Sequence, residues 1–393
     1  MGRLLHELNV VDQRTVEKYR RESERMGKGS FALAWVLDQG TEERERGVTI
    51  DIANFNFETA KTQFTILDAP GHRDFIPNMI AGASQADFAL LVIDAGVGNF
   101  ESGLKGQTRE HVLLVRSIGV QRVIVAVNKL DMVDWSQERF DEICQQMLAF
   151  LTTAGFQEKH LAFVPCSGLN GDNIINKSKV DSASWYQGPP LITLLEDSEP
   201  VARAIEKPFR LTMDDIFRGG VQNPLSVLGR LDAGTVQIGE LAIAMPASQS
   251  VTLKGIEVDN EPREWAVAGQ IATLHLVDVD PKYLKPGDVL CSASSPVLVQ
   301  KSFFVKVLAF EHIMPMPCEV HRGRLHASSR IAKLEAILEK GSGSVVKGKK
   351  PKVVKPGALA RIMVEVDEAI PIETGNRVIL RAKGETIGAG LVE

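Results

Sequence analysis

Two hydrophobic rhythms divide this chain. Up to about residue 195, unbroken apolar runs alternate with stretches of helical spacing. Phe88 to Ala95 and Val123 to Val127 are continuous apolar runs, the pattern of parallel strands buried on both faces. Between them, Gln107 to Ser117 reads as a helix. Gln137 to Ala154 predicts another, with Phe140, Ile143, Met147, Leu148 and Leu151 spaced to share one face. Strands alternating with helices predict an α/β, doubly wound first domain. A Pro- and acid-containing stretch, Gln187-Gly188-Pro189-Pro190 through Glu199-Pro200, then changes the rhythm. From Phe209 onward, short strand-like segments are separated by Arg218-Gly219-Gly220, Asp232-Ala233-Gly234, Lys285-Pro286-Gly287-Asp288 and Lys355-Pro356-Gly357. Short strands with Gly and Pro turns predict small all-β barrels. The stretch is long enough for two, with a break near Ser294-Ser295-Pro296. The expected domains are 1–196, 205–296 and 297–393.

Composition changes this picture little. At 393 residues the chain exceeds one core, and its net charge of −5 gives no global basic signature, so any RNA contact must come from local patches. Cys144, Cys166, Cys291 and Cys318 have no C-x-x-C spacing and read as reduced, mostly buried thiols, without disulfide or zinc use. No apolar run approaches the roughly 18 residues of a membrane span. Met1-Gly2-Arg3-Leu4-Leu5 begins helically and lacks the core of a signal peptide, so a cytoplasmic, membrane-free protein is expected.

Candidate chemistry sits at the ends of apolar runs. Asp68-Ala69-Pro70-Gly71-His72 follows Phe64-Thr65-Ile66-Leu67, and Asn128-Lys129-Leu130-Asp131 follows Val123 to Val127. In open α/β sheets, ligands bind beyond such strand ends. An acidic, glycine-bearing turn can meet a terminal phosphate and its magnesium ion, and the amide and carboxylate of the second can read a guanine edge. Upstream, Arg44-Glu45-Arg46-Gly47-Val48-Thr49 is either a solvated charged turn or a γ-phosphate-sensing switch whose Thr49 hydroxyl serves the magnesium. Downstream, Pro165-Cys166-Ser167-Gly168-Leu169-Asn170-Gly171 follows Leu161 to Val164, and its glycine lets a backbone N–H approach guanine O6. Each string alone fits an ordinary turn. Four in this order point to a GTPase.

With these residues in view, the whole chain resembles the elongation factor one-alpha family of translational GTPases. Within that family it is similar to the HBS-like ribosome-rescue branch that works with Pelota. The segments carrying this finer likeness are Val133-Asp134-Trp135-Ser136-Gln137-Glu138-Arg139-Phe140, Leu169 in place of a usual Trp, Lys207-Pro208-Phe209-Arg210-Leu211, and His321-Arg322-Gly323-Arg324-Leu325-His326. Intact Arg44-Glu45-Arg46-Gly47 sets it apart from the eukaryotic release-factor GTPase.

The resemblance implies GTP and GDP as ligands with Mg²⁺. Thr49 would bind Mg²⁺, Asp68 would hold it through a water, and Gly71 would give its N–H to the γ-phosphate. His72 would orient the attacking water behind an apolar gate that includes Val48. Asn128 and Asp131 would bind the guanine edge, the Lys129 stem would cover the base, and Ser167 and Gly168, with Leu169 beside them, would address O6. It further implies a Pelota-type release-factor-like partner, ribosomal RNA contacts, GTP hydrolysis on the ribosome and a role in no-go and non-stop decay. Two other readings stay open: an elongation factor delivering aminoacyl-tRNA, and a non-hydrolysing scaffold for RNA-decay machinery.

The chain departs from the family at both ends. No G-x-x-x-x-G-K-[ST] phosphate loop occurs in it. Gly27-Lys28-Gly29-Ser30 lacks the first glycine and the preceding strand. In the family that loop runs into a Met-Gly-Arg-Leu-Leu-like helix, which here opens at Met1. The expectation is a truncated chain with a gap between the strands ending at Asp68 and Asp94. Losing several charge-assisted contacts of about 1.5–3 kcal/mol each would weaken nucleotide binding by many orders of magnitude. Near the C-terminus, Pro371-Ile372-Glu373-Thr374-Gly375-Asn376-Arg377 reads as a trimmed hairpin. Lys347-Gly348-Lys349-Lys350-Pro351-Lys352 is either a solvated hairpin tip or a basic contact to RNA phosphates or a partner.

Overall fold

The structure, a computed structural model, describes residues 1–27, 32–38, 40–46, 49–198, 202–218, 225–339, 343–346 and 350–393. Val48, most of Gly27-Lys28-Gly29-Ser30, Gly219-Gly220 and Lys347-Gly348-Lys349 lie outside the described residues. The chain divides into two compact units, Met1–Pro200 and Val201–Glu393.

The first unit runs α1 (Gly2–Glu7), α2 (Gln13–Arg25), α3 (Thr41–Arg46), β1 (Ala53–Glu58), β2 (Gln63–Asp68), α4 (Ile76–Ala83) and β3 (Ala89–Asp94). It continues α5 (Asn99–Lys105), α6 (Gln107–Ile118), β4 (Val123–Asn128), α7 (Gln137–Thr153), β5 (Leu161–Pro165) and α8 (Leu191–Glu196). Strands β3, β4 and β5 form a parallel sheet in that order, with Asp94 paired to Asn128 and Val127 to Pro165. Their C-terminal ends therefore reach one edge together.

Strand β4 is the spine of this unit. Val123, Val125 and Val127 pack into one core with Phe140, Ile143, Met147 and Leu151 of α7. Ile124 and Ala126 face the opposite core, with Leu4 and Leu5 of α1 and Leu191, Ile192 and Leu195 of α8. Both faces are covered, so the strand can be wholly apolar. Helix α7 starts where the Ser136 side chain accepts the Arg139 N–H at 3.2 Å, and its apolar stripe is the one its spacing predicts. Each fully buried large side chain here contributes about 1.5–3 kcal/mol of transfer free energy.

Strand β3 departs from expectation. Val92 on it is 51% exposed, although the apolar run predicted burial on both faces. Among the described residues β3 pairs with β4 alone, and β2 pairs with β1 alone as a separate antiparallel ribbon. The two sheets meet through side chains, with Phe64 edge-on to Phe88 at 6.5 Å. That is the gap anticipated between the strands ending at Asp68 and Asp94. Arg44-Glu45-Arg46 forms the end of α3 rather than a bare turn, and the Arg44 guanidinium lies 4.7 Å from the Tyr19 ring.

The second unit holds two β-bodies. The first comprises β6 (Arg210–Phe217), β7 (Leu225–Ala233), β8 (Thr235–Gln237), β9 (Leu241–Met245), β10 (Gln249–Val258), β11 (Glu261–Arg263), β12 (Trp265–Val267), β13 (Ile271–Val277) and β14 (Val289–Ser292). Its strands run β10-β13-β7-β6-β14-β9, and β9 pairs back to β10, so the sheet closes. The second comprises β15 (Val299–Ala309), β16 (Pro317–Arg322), β17 (Leu325–Leu338), β18 (Leu359–Pro371), β19 (Arg377–Ala382) and β20 (Glu385–Val392), closed in the order β15-β18-β17-β16-β19-β20. Alternate residues fill each interior, such as Phe303, Val305 and Val307 on β15. An α/β domain followed by two small all-β barrels is the architecture the rhythm predicted.

One connection was misread. Pro371 to Arg377 is not a hairpin, because β18 and β19 are not neighbours in the barrel. The segment crosses between them, and its Glu373 pairs bidentately with Arg210 of the first barrel at 2.8 and 3.1 Å. Local sequence records that a turn exists and does not record which strands it joins.

The turn before β14 also joins the two barrels. Gly287 has φ +93°, and a Cβ there would lie 2.6 Å from the Leu325 Cα, so both conformation and space call for glycine. Beside it, Asp288 is 6% exposed and accepts the Lys285 N–H at 2.9 Å. Burial pushes its carboxyl up to about 6, against the Lys285 N–H and charge. Between the ordinary carboxylate range and about 6, the folded state holds a proton that the unfolded chain has lost. Stability therefore falls as pH rises through that window. Asp288→Asn keeps the acceptor oxygen and removes the charge. It should stabilise the second unit by roughly 1–3 kcal/mol above pH 6, and the gain should vanish near pH 4. Urea unfolding at the two pH values checks this, and an equal offset at both would refute it.

Candidate guanine-nucleotide site

The site is assembled where β2, β3, β4 and β5 end. At the end of β4, Asn128 turns its amide oxygen to the Gly168 N–H at 2.7 Å, tying this loop to the one after β5. A Cβ on Gly168 would come 3.2 Å from that oxygen, so the approach leaves little room for a side chain. Lys129 follows with φ +64°, a left-handed conformation that aims its ammonium at Asp94 Oδ2, 2.8 Å away. Leu130 is fully buried and its N–H reaches the Cys166 carbonyl at 3.3 Å.

Asp131 then stands in the short helical turn Leu130–Val133. Its Oδ1 is buried and has no hydrogen-bond partner among the described residues. A buried carboxylate oxygen without a donor costs on the order of 1–3 kcal/mol or more, so its position calls for a ligand that donates. The N1–H and N2–H groups of guanine are such donors, and adenine has none there.

The loop after β5 supplies the opposite wall. Ser167 is fully buried, donates its N–H to the Asp172 carbonyl at 3.1 Å and accepts the Asn170 N–H on its hydroxyl at 3.3 Å. The Gly168 N–H, expected to address O6 directly, is engaged by Asn128. Leu169 is 66% exposed, and its carbonyl accepts from the Arg3 guanidinium of α1. Burial raises the Cys166 thiol to about 12, and among its charged neighbours are the Met1 amine and Asp131.

The phosphate-side residues form a second group. Loss of hydration pushes the Asp68 carboxyl up to about 6; the Met1 amine opposes the rise, and Asp38 and Glu43 add to it. Thr49 donates its hydroxyl to Asp38 Oδ1 at 2.8 Å, and burial raises Asp38 as well. Glu43 Oε1 accepts the N–H groups of Ile50 and Asp51 at 2.9 and 3.3 Å, which anchors the segment carrying Thr49. Asp68, Asp38 and the Thr49 hydroxyl are oxygen donors of the kind Mg²⁺ takes, and burial first, then acidic neighbours, raises the two carboxyls. In donor chemistry these residues fit the ion.

His72 stands at the mouth, with its side chain 41% exposed. Its Nδ1 faces Asp74, lying 3.3 Å from the Asp74 backbone nitrogen and 3.4 Å from Asp74 Oδ2. Beside Gly71 lies His111 of α6, whose Cε1 would be 3.9 Å from a Cβ placed there. Burial lowers the His111 pKa.

Sequence reasoning missed three of these residues. Asp94 orients Lys129, and its carboxyl lies below the usual range: burial opposes this, but bonds from Lys129, the Gly96 N–H and Asn99 outweigh it. Its place at the end of an apolar run was the available signal. Asp38 and His111 carried none, since each enters through a long-range contact.

Residues 1–215 match the family model described as Elongation factor Tu GTP binding domain, and residues 318–393 match Elongation factor Tu C-terminal domain. The chain is 38% identical to Protein HBS1 of Drosophila melanogaster, over all of this chain and 60% of that protein. It is 38% identical to Elongation factor 1 alpha-like protein of Schizosaccharomyces pombe, covering 67% of it. Identity is also 38% to Elongation factor 1-alpha of Entamoeba histolytica, with 91% of that protein covered. The chain thus spans about 60% of the length of HBS1. In fold it is similar to the Ski7 GTPase-like domain of S. cerevisiae, bound to GTP, with a TM-score of 0.78 at 16% identity over 100% of this chain and 93% of that one. With the matched residues, the strand-end loops and the barrels in agreement, this chain belongs to the elongation factor Tu and elongation factor 1-alpha family of translational GTPases.

Proposed function

We propose that this chain is the core of a ribosome-rescue GTPase that binds GTP, delivers a Pelota-type release-factor-like protein to stalled or empty-A-site ribosomes, and hydrolyses GTP there. The observation that carries the nucleotide assignment is the buried, unpartnered Asp131 Oδ1 beside the Asn128–Gly168 bond. Support for the rescue branch comes from the match to HBS1 over all of this chain and 60% of that protein, and from the segments around Trp135 and His321. The cytoplasm is the compartment this role requires.

In this reading Asp131 accepts from guanine N1–H and N2–H. Asn128, its oxygen held by Gly168, keeps its Nδ2 donor for the base, and the Lys129 stem, fixed by Asp94, covers the ring. A base lacking the donors leaves the Asp131 oxygen unpaired, a mismatch that supports about 10⁴-fold discrimination. Thr49, Asp38 and Asp68 would hold Mg²⁺, which neutralises charge on the phosphates. Gly71 gives its N–H to the γ-phosphate. His72 orients the attacking water, whose oxygen forms the new P–O bond as the GDP oxygen leaves. Positioning and charge neutralisation supply nearly all of this catalysis, so hydrolysis is slow until the ribosome docks His72.

Hydrolysis also needs a phosphate loop, and we propose that a strand and loop ahead of Met1 complete the site. Two edges support this: β2 and β3 lack backbone pairing to each other, and Val92 is left half-exposed. Adding a strand and Gly-x-x-x-x-Gly-Lys-Ser loop before Met1 should raise GTP affinity by at least about 10³-fold in calorimetry, several charge-assisted hydrogen bonds being gained. Equal affinity with and without the addition would overturn this part of the proposal.

With the loop in place, Asp131→Asn should transfer preference from GTP to xanthosine triphosphate, because the amide can donate to the xanthine C2 carbonyl. Unchanged preference for GTP would remove Asp131 from the base site. His72→Ala should leave GTP binding within about twofold and lower ribosome-stimulated hydrolysis by at least about 10²-fold, since its contact with water matters in the transition state. The same protein should capture Pelota in the GTP state and fail to protect aminoacyl-tRNA from deacylation. The reverse result would make it an elongation factor. Pelota binding that ignores the nucleotide would make it a scaffold.

A further inference from the structure

The second barrel carries a cluster that the GTPase reading does not use. Strands β16 and β17 form a tight hairpin in which Arg322 pairs with Leu325 and His321 directly opposes His326. Glu319 precedes His321 by two residues, so alternation along the strand puts it on the same face. Val320 between them points to the opposite face and is fully buried in the barrel core. The pattern Glu319-Val320-His321-Arg322-Gly323-Arg324-Leu325-His326 therefore gathers one carboxylate and two imidazoles in a single patch.

The geometry is specific. The two imidazole rings stack with centroids 4.5 Å apart and planes 9° from parallel. Glu319 Oε2 lies 3.4 Å from His321 Nε2 and 3.4 Å from His326 Nε2. All three ligand atoms fall within 4.8 Å of one another. A spacing of 3.4 Å is long for N–H···O bonds, which cluster near about 2.9–3.0 Å. It matches the edge of a tetrahedron with metal–ligand bonds of about 2.0–2.1 Å, which is about 3.3–3.4 Å.

We propose that Glu319, His321 and His326 form a binding site for a divalent transition-metal ion of the Zn²⁺ class. Two imidazoles and a carboxylate are a borderline nitrogen and oxygen set that suits Zn²⁺ rather than Mg²⁺ or Ca²⁺. Because the two rings stand nearly parallel, the exposed His326 ring would turn to aim its Nε2 at the ion, and the fourth position would be left to water. His321 is 2% exposed and so held in place, whereas Glu319 and His326 have side chains 49% and 55% exposed, leaving an entry path. In the metal-free cluster His321 Nε2 faces Glu319 Oε2 at 3.4 Å, so an ion would take the place of the proton shared between them. The Arg381 guanidinium acts on His321 through its charge and opposes a cation, which limits the affinity. A bound ion would pin β16 to β17 across the hairpin that also seats the Gly287 turn of the first barrel.

The test uses the full chain, stripped with a chelator and titrated with Zn²⁺ by calorimetry. One ion per chain should bind. His326→Ala, at an exposed position whose loss leaves the barrel core intact, should weaken binding at least tenfold. Glu319→Gln should do so by a smaller factor. In ring-nitrogen NMR, Zn²⁺ should shift Nε2 of both His321 and His326. Binding of equal strength in the wild type and His326→Ala would place the ion elsewhere, for instance on a thiol, and overturn the proposal. Binding no tighter than millimolar in the wild type would equally overturn it and leave the cluster a carboxylate clasp on two imidazole N–H groups.

Discussion

The hydrogen bond from the Gly168 N–H to the Asn128 side chain is the contact on which the nucleotide site depends. It joins two loops whose sequences lie forty residues apart. Parallel pairing of β4 with β5 brings their ends to one edge, and burial of β4 on both faces makes that edge rigid. From this fixed point the neighbouring side chains take their places. Lys129 is turned by a left-handed backbone onto Asp94, Leu130 plugs the core, and Asp131 is delivered with one oxygen buried and unmet. In the proposed function a guanine ring would supply what that oxygen lacks.

The phosphate side is organised differently. Its charged groups come from the end of β2 and from the segment between α2 and β1. Asp38 takes the Thr49 hydroxyl, and Glu43 takes the backbone beyond it. Asp68 sits in the same negative field, with its carboxyl raised to about 6 by loss of hydration. In the proposed function the first group would receive the base and this acidic neighbourhood would receive a cation. The separation of the β1–β2 ribbon from the β3–β4–β5 sheet falls between these two halves.

Much of this was legible in the residues. The helical stripe of Phe140, Ile143, Met147 and Leu151 and the apolar run of β4 name their own burial, because periodicity and solvent exposure are linked directly. The strand-end motifs placed Asp68, Asn128 and Asp131 at the ends of strands, because turn residues mark where an apolar run stops. Less legible was whatever depended on distant pairing. The partnership of Thr49 with Asp38, the seat of His111 beside Gly71 and the crossing from Pro371 to Arg377 follow from topology. Val92 was misjudged because an apolar strand predicts burial only if neighbours exist to cover it. The histidines at 321 and 326 were read as a family mark, and only their register across the hairpin shows that they face one carboxylate.

The central claim is that Asn128, Asp131 and Gly168 together recognise guanine. Backbone and side-chain amide NMR of the protein with the strand and phosphate loop added before Met1, titrated in parallel with GDP and ADP, tests it most directly. The account predicts that GDP moves the Gly168 N–H and Asn128 Nδ2 resonances in a saturable way and that ADP at the same concentration leaves them in place. Equal shifts with both nucleotides, or GDP binding that leaves these two resonances unmoved, would contradict it.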